Sequence, residues 1–203
     1  MTAHLLFFCR KGKTNMNMNN LLILINRNHP VTEEYAPQDL AVVDIPSADE
    51  GEEFELRMEA KEALERMVND AKKEGLLICG VAGYRSFETQ KEIYTESIVK
   101  QGLTHTRMYI AFPGTSEHQT GLAVDLSTPI CNNEVTQDFK DTKEYEWLLN
   151  NSYRYGFILR YPEGSENITG YGYESWHFRY VTVEHAKNIY DKKMVLEEYC
   201  QLV

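Results

Sequence analysis

The centre of the chain reads SEHQTGLAVDL (residues 116–126), a polar turn that runs into an apolar strand. Two of its side chains are suited to binding a metal ion, and these residues, His118 and Asp125, are seven positions apart. On a regular strand such residues point to opposite faces, so one continuous strand would not let them share an ion. We therefore expect Gly121 to break the segment, with His118 in the turn and Asp125 in the strand that follows.

The rest of the chain alternates irregularly between predicted helices and strands. The clearest helix, Glu53 to Glu74, carries an apolar stripe at helical spacing. The predicted strands are one that begins at Leu21 and is ended by Asn28-His29-Pro30, and those at 76–83, 121–126, 157–161 and 176–181. The other predicted helices are one capped by Ser86 and ended by Gly102, one from Thr142 to Gly156, one capped by Thr182 that ends near Asp191, and a short one at 195–199. Loops are predicted at 102–115 and 162–173. Because this order lacks a regular β-α-β repeat, it predicts a single α+β domain with a central, mostly antiparallel sheet flanked by helices.

Composition excludes some classes of function. A length of 203 residues suits one domain, and the formal net charge of −10 makes a nucleic acid an unfavourable partner. The cysteines are widely spaced, which is unlike a zinc ribbon or a dense disulfide framework. We interpret them as free thiols in a reducing compartment, with one long-range disulfide as the open alternative. They are Cys9, Cys79, Cys131 and Cys200.

The first 20 residues are predicted to be a disordered leader or an upstream extension, and the folded domain is predicted at 21–203. The apolar run from Leu5 to Cys9 is shorter than the core of a signal peptide, and the positive charges follow it instead of preceding it. No stretch of the sequence approaches the ~20 apolar residues of a membrane span. The sequence therefore predicts a cytoplasmic protein without a membrane span.

A second polar segment, ESWH (residues 174–177), complements the first. His118, Asp125 and His177 together supply the imidazole and carboxylate ligands that catalytic zinc takes, with a fourth position left open. Glu174 is expected in the loop just before the strand or at a bulge, from where it could reach metal-bound water without ligating the metal. A lone histidine beside a strand is more often a packed or solvated residue, so the prediction depends on the two motifs jointly. The other histidines, which lack such neighbours, are His4, His29, His105 and His185.

Arg85 follows the buried strand in GVAGYRS (residues 80–86). A salt bridge is the commoner role of an arginine. The functional alternative is a fixed guanidinium that stabilises a developing oxyanion.

These motifs resemble a known family. GYRSxxxQ, SEHQTGLAVD and YGFILRYP…TGYxYESWHFRYV, in this order, resemble the VanY-type D-alanyl-D-alanine carboxypeptidases, the bifunctional VanXY enzymes and the related L,D-carboxypeptidases over about residues 21–200. The resemblance implies a small α+β zinc-peptidase domain with a central antiparallel sheet. It also implies one zinc ion on His118, Asp125 and His177, with Glu174 as base and Arg85 at the scissile carbonyl oxygen. The implied substrate contacts are Gln90, Ser116, Tyr161 and Trp176.

The implied reaction is zinc-dependent hydrolysis of the C-terminal D-Ala-D-Ala bond, or a similar D-residue bond, of peptidoglycan precursor peptides. Within the family the alternatives are an L,D-carboxypeptidase and a D,D-dipeptidase, and loops 102–115 and 162–173 are expected to decide between them. A non-catalytic, zinc-containing cell-wall binding module is the alternative from another class. Because no export signal is evident, the cytoplasmic VanXY-like arrangement is favoured.

Overall fold

The structure, a computed structural model, describes residues 20–49 and 51–203. Its strands are β1 (Leu40–Val42), β2 (Glu55–Arg57), β3 (Cys79–Ala82), β4 (Ala123–Ser127), β5 (Phe157–Tyr161) and β6 (Glu174–Tyr180). Its α-helices are α1 (Met58–Lys73), α2 (Phe87–Gln101), α3 (Leu103–Tyr109), α4 (Lys143–Asn151), α5 (Glu166–Thr169), α6 (Val183–Lys192) and α7 (Leu196–Tyr199). A four-stranded antiparallel sheet in the order β3-β4-β6-β5 forms the centre, so the predicted α+β class is confirmed.

The register of the central sheet brings the two polar segments together. Strands β4 and β6 pair so that Asp125 lies directly opposite His177. Between β5 and β6 the register shifts, because Leu159 pairs with Phe178 but Tyr161 pairs with Glu174. From the three-residue spacing of Glu174 and His177, which would face opposite sides of a regular strand, the sequence predicts Glu174 in a loop before the strand or at a bulge. The structure has the bulge, and Glu174 is the first residue of β6.

Helix α1 shares one hydrophobic core with the central sheet through the apolar stripe predicted from the sequence. The stripe is buried, and its members are Ala60, Ala63, Leu64, Met67, Val68 and Ala71. The helix begins at Met58 and not at Glu53, because residues 55–57 pair with β1 in a separate two-stranded sheet. Leu56 fits the stripe but lies in that sheet, fully buried, so the apolar period alone misplaces the start of the helix.

The strand predicted from Leu21 is wrong. Within this segment, the backbone pairing of the described residues is limited to one isolated β-bridge, between Asn26 and His29. Ile23 and Ile25 are nevertheless buried in the core. Two backbone carbonyls here are satisfied without a sheet, because the Arg179 guanidinium donates hydrogen bonds to the carbonyls of Leu21 and Ile23.

Two predicted loops contain helices. The segment 102–115 includes α3, and 162–173 includes the short α5. Gly102 separates α2 from α3 at a φ of 82°, a conformation that favours glycine, so the predicted stop of α2 is confirmed although a new helix follows at once.

Of the helix caps predicted at Ser86 and Thr182, the structure has the first and lacks the second. Ser86 caps α2, since its hydroxyl oxygen accepts a hydrogen bond from the Thr89 amide at 3.1 Å. Thr182 precedes α6 but makes no side-chain cap, because its φ of 74° is not the extended conformation of a capping residue. The helix predicted from Thr142 to Gly156 is α4 followed by a 3₁₀ turn at Ser152–Tyr155.

Further predictions concern the thiols and the leader. Cys79, Cys131 and Cys200 are free thiols, as predicted. Cys9 and residues 1–19 of the predicted leader lie outside the described residues. Within the described part of the chain, every helix is too short or too polar to cross a bilayer.

Candidate metal centre and active site

His118 lies in a 3₁₀ turn, Glu117–Thr120, that ends at Gly121. Gly121 has a φ of 65°, and a Cβ atom there would lie 2.8 Å from Leu40, so the chain breaks here as the sequence predicts. The His118 Nδ1–H donates to the Gly83 carbonyl at 2.7 Å, which turns Nε2 towards Asp125 Oδ2 at 3.3 Å. His118 is thus held in one tautomer, with Nε2 free to act as a ligand.

The three predicted ligands converge. His177 Nδ1 lies 3.1 Å from Asp125 Oδ1. One ligand atom each from His118, Asp125 and His177 lies within 4.8 Å of the others, and all three residues are buried. This spacing fits one ion, since ligand atoms ~2.1 Å from a tetrahedral zinc lie ~3.4 Å apart. Two imidazoles and a carboxylate are also a donor set that zinc takes.

Burial and neighbouring charges shift the pKa of each of the three candidate ligands. Burial alone would raise the pKa of Asp125, but His118, His177 and Arg85 outweigh it and hold that pKa well below its usual value. Burial and the Arg85 charge lower the pKa of His118. Burial would also lower the pKa of His177, yet the carboxylates of Asp125, Glu117 and Glu174 raise it to about 9. An incoming dication would therefore displace a proton from this pair of histidines.

Glu174 begins β6 beside the three ligands. Its Oε2 lies 3.7 Å from His177 Nδ1, and 6% of the residue is exposed. Burial, together with the charges of Asp125 and Glu117, raises its pKa to about 8. A nearby metal ion would lower this value again, so the carboxyl is suited to take up and release a proton near neutral pH.

Arg85 contacts the same cluster. Its Nη2 donates to Asp125 Oδ2 at 2.9 Å, while 22% of its side chain stays exposed. The salt bridge considered from the sequence is therefore present, and it places the guanidinium next to the ligand set. Both roles considered for this residue are compatible with its position.

A cleft of about 720 Å³ opens onto these groups. All predicted site residues line it, including the predicted substrate contacts Gln90, Ser116, Tyr161 and Trp176. Helices α2 and α3 form the opposite wall. His105, interpreted from the sequence as a surface or structural residue, lies in that wall with Tyr109.

Sequence comparison identifies the family. The VanY family, described as D-alanyl-D-alanine carboxypeptidase, matches residues 53–183. The chain belongs to the VanY family. A similar protein is the putative carboxypeptidase YodJ of Bacillus subtilis (strain 168), 40% identical over 193 residues, which are 94% of this chain and 71% of YodJ. The predicted family and enzyme class are confirmed.

Solved structures agree with the VanY-family fold. The LdcB LD-carboxypeptidase superposes with a TM-score of 0.86 at 40% identity, covering 92% of this chain and 88% of LdcB. A second solved structure is a mutant of the D,D-pentapeptidase VanY from the VanB-type resistance cassette, in complex with Zn(II). It superposes with a TM-score of 0.71 at 34% identity, covering 89% of this chain and 98% of that VanY chain.

Sequence reasoning also did not single out Glu117, which lies beside the three candidate ligands. It precedes His118 in the SEHQ motif and is 1% exposed. It also lines the cleft and lies 3.5 Å from His177. Only its adjacency to a predicted ligand could have drawn attention to it, because its charged partners are far along the chain.

Proposed function

We propose that this chain is a zinc-dependent carboxypeptidase that removes the terminal D-residue from peptidoglycan precursor peptides ending in D-Ala-D-Ala or a similar D-residue pair. One observation carries the proposal: His118, Asp125 and His177 converge at a cleft, with the buried carboxyl of Glu174 beside them. Membership of the VanY family supports the reaction class.

The proposed roles follow from position and charge. Zinc held by the three ligands would supply Lewis-acid polarisation of the scissile carbonyl and a more acidic water. Glu174 accepts a proton from the attacking water and returns it to the departing amine. Arg85, already beside Asp125, donates hydrogen bonds to the oxygen that becomes negative as the carbonyl is attacked.

The proposed substrate contacts are buried or partly buried in the same cleft. Gln90 is fixed in one orientation, because its Nε2 donates to the Ala111 carbonyl at 2.8 Å. Its Oε1 is therefore the remaining acceptor for a peptide N–H. The Tyr161 ring packs 5.0 Å from the His177 ring, and Ser116 immediately precedes the metal-binding turn. The cleft volume suits a short peptide.

A second candidate within the family is an L,D-carboxypeptidase. The likeness to the LdcB LD-carboxypeptidase exceeds that to the VanY D,D-pentapeptidase in both identity and TM-score. A panel of the dipeptide D-Ala-D-Ala, a tetrapeptide and a pentapeptide distinguishes the two activities and a D,D-dipeptidase. The proposal predicts that the pentapeptide is cut fastest, and dominant cleavage of the tetrapeptide would favour the L,D activity.

The experiment that tests the enzyme against a binding module is D-alanine release by the wild type and by Glu174→Gln. Because Glu174 lies outside the three ligands, we expect Gln to keep zinc affinity within a few fold but to lower turnover by ~10²–10⁴. Glu184→Gln, at an exposed glutamate of α6, is the matched control and should turn over normally. A folded, zinc-loaded wild type that releases no D-alanine from any peptide would instead support the binding module.

The cytoplasmic location, the lack of a nucleic acid partner and the single domain at 21–203 stay predictions. Fractionation of cells that produce the chain, with detection in the cytoplasmic and exported fractions, tests the first. Domain boundaries are tested by limited proteolysis, which should leave the 21–203 segment intact.

A further inference from the structure

Beneath the metal centre lies a buried group of four ions that the proposed reaction does not use. This ion cluster consists of Glu117, Arg160, Arg179 and Glu197, and each is at most 8% exposed. Glu117 Oε1 accepts hydrogen bonds from Arg160 Nε at 2.7 Å and Arg179 Nη1 at 2.8 Å. Arg160 also holds Glu197 through two bonds, at 2.6 and 2.8 Å. The formal charges cancel, so the cluster can be buried without a net charge.

Glu117 connects the cluster to the metal centre. Glu117 Oε2 lies 3.5 Å from His177 Nε2, and neither atom has another hydrogen-bond partner among the described residues. The opposite nitrogen of the same ring, Nδ1, lies 3.1 Å from Asp125. His177 therefore has one nitrogen on the metal side and one on the cluster side.

We propose that Glu117 is a positioning residue that accepts the Nε2–H of His177 and so leaves the Nδ1 lone pair for the metal ion. The inference rests on the metal centre of the proposed function. A neutral imidazole carries its proton on one nitrogen only, so an acceptor at Nε2 selects the tautomer that can ligate through Nδ1. It also fixes the plane of the ring, as carboxylate partners of zinc-bound histidines do.

The two arginines make Glu117 a reliable acceptor. Both guanidiniums bind Oε1, which leaves Oε2 to face His177. A glutamine at this position would keep the shape, but its one oxygen would face the two arginine donors and its N–H group would face Nε2. That arrangement favours the tautomer with hydrogen on Nδ1, which cannot ligate the ion through Nδ1.

The outer contacts of the cluster provide the control. Glu197 lies in α7 and pairs with Arg160. In the part of the chain that the structure describes, it makes no hydrogen bond or ion pair with His177. Glu197→Gln therefore weakens the cluster as Glu117→Gln does, but it leaves the acceptor at Nε2 in place. A role of the cluster that is only structural would affect both variants alike.

The first test is zinc affinity, measured by competition with a chromophoric chelator on folded protein. We expect Glu117→Gln to bind zinc ~10–100-fold more weakly, the usual effect of removing such a partner, and Glu197→Gln to stay within about threefold of the wild type. Equal affinities of Glu117→Gln and wild type, or equal losses in both variants, would overturn the proposal. If the wild type itself takes up no zinc, the proposed function is refuted as well. The zinc uptake of the wild type therefore separates failure of the proposed function from failure of the role of Glu117 alone.

The second test needs no variant, so it holds even if Glu117→Gln fails to fold. In zinc-loaded wild type labelled with ¹⁵N-histidine, NMR correlations through the ring protons report which nitrogen carries hydrogen. We expect His177 to be metal-bound at Nδ1 and protonated at Nε2. A His177 bound through Nε2 would contradict the proposal regardless of the affinities.

Discussion

Replacing Arg160 by methionine should be among the most destabilising single changes in the chain. Arg160 is fully buried and makes three charge-assisted hydrogen bonds to two carboxylates, Glu117 and Glu197, at 2.6 to 2.8 Å. Methionine fills most of the space but removes the guanidinium from both carboxylates. Glu197 then loses its arginine partner, and Glu117 keeps only Arg179. Breaking a buried ion pair from one side typically costs ~3–5 kcal/mol.

That loss is large against the total stability of a domain, ~5–15 kcal/mol. For a chain of this size ~1 kcal/mol shifts the thermal midpoint by ~2–4 °C, so we expect a fall of ~6–20 °C. The assays are thermal unfolding, which gives the midpoint, and urea unfolding, which gives the free energy, both followed by circular dichroism. They use the metal-free protein, because bound zinc would add its own stabilisation.

Lys187→Met provides the matched control. Lys187 and Asp191 form an ion pair of 2.6 Å, the same length as the Arg160–Glu197 pair, but their side chains are 60% and 51% exposed. Water and salt screen such a pair, so we expect no measurable change in the unfolding midpoint. A loss below ~1 kcal/mol in Arg160→Met, or equal losses in the two variants, would refute the argument that burial gives the cluster its importance.

Three further predictions concern the active site and the thiols. Arg85→Ala should lower kcat/KM for D-alanine release by ~10²–10³, with partial recovery in Arg85→Lys; near-normal turnover of the alanine variant would refute its role at the oxyanion. Removing zinc with a chelator should abolish D-alanine release and lower the thermal midpoint, and re-addition should restore both; turnover that survives verified metal removal would contradict the assignment. Burial raises the pKa of Cys79 to about 11, so its alkylation at pH 8 should be slow, should accelerate as the pH rises and should lag behind that of the less buried Cys200. Peptide mapping by mass spectrometry measures both rates, and rapid labelling of Cys79 in folded protein would contradict its burial.

The sequence carries enough information to single out the three candidate ligands but not to show how they meet. Motif chemistry singles out His118, Asp125 and His177, and the parity argument requires the break at Gly121. What the sequence does not provide is the register of β4 against β6, which places Asp125 opposite His177. Register depends on which residues of distant strands pair, and a local pattern does not encode it.

The errors share the same physical origin. The segment from Leu21 resembles a strand because it is apolar, yet two of its carbonyls, those of Leu21 and Ile23, accept hydrogen bonds from Arg179, 158 and 156 positions away. Local sequence does not single out Glu117 because its partners, Arg160 and Arg179, lie 43 and 62 positions along the chain. Local periodicity reports burial of a face, whereas the partners of buried polar groups are a tertiary property.

The most direct test of the account is anomalous diffraction at the zinc absorption edge, on crystals of the zinc-replete protein. We predict a single strong peak that lies ~2.0–2.2 Å from His118 Nε2, from a carboxylate oxygen of Asp125 and from His177 Nδ1, the length of zinc–nitrogen and zinc–oxygen bonds. A peak held by other residues, or no peak between these three side chains, would contradict the central claim.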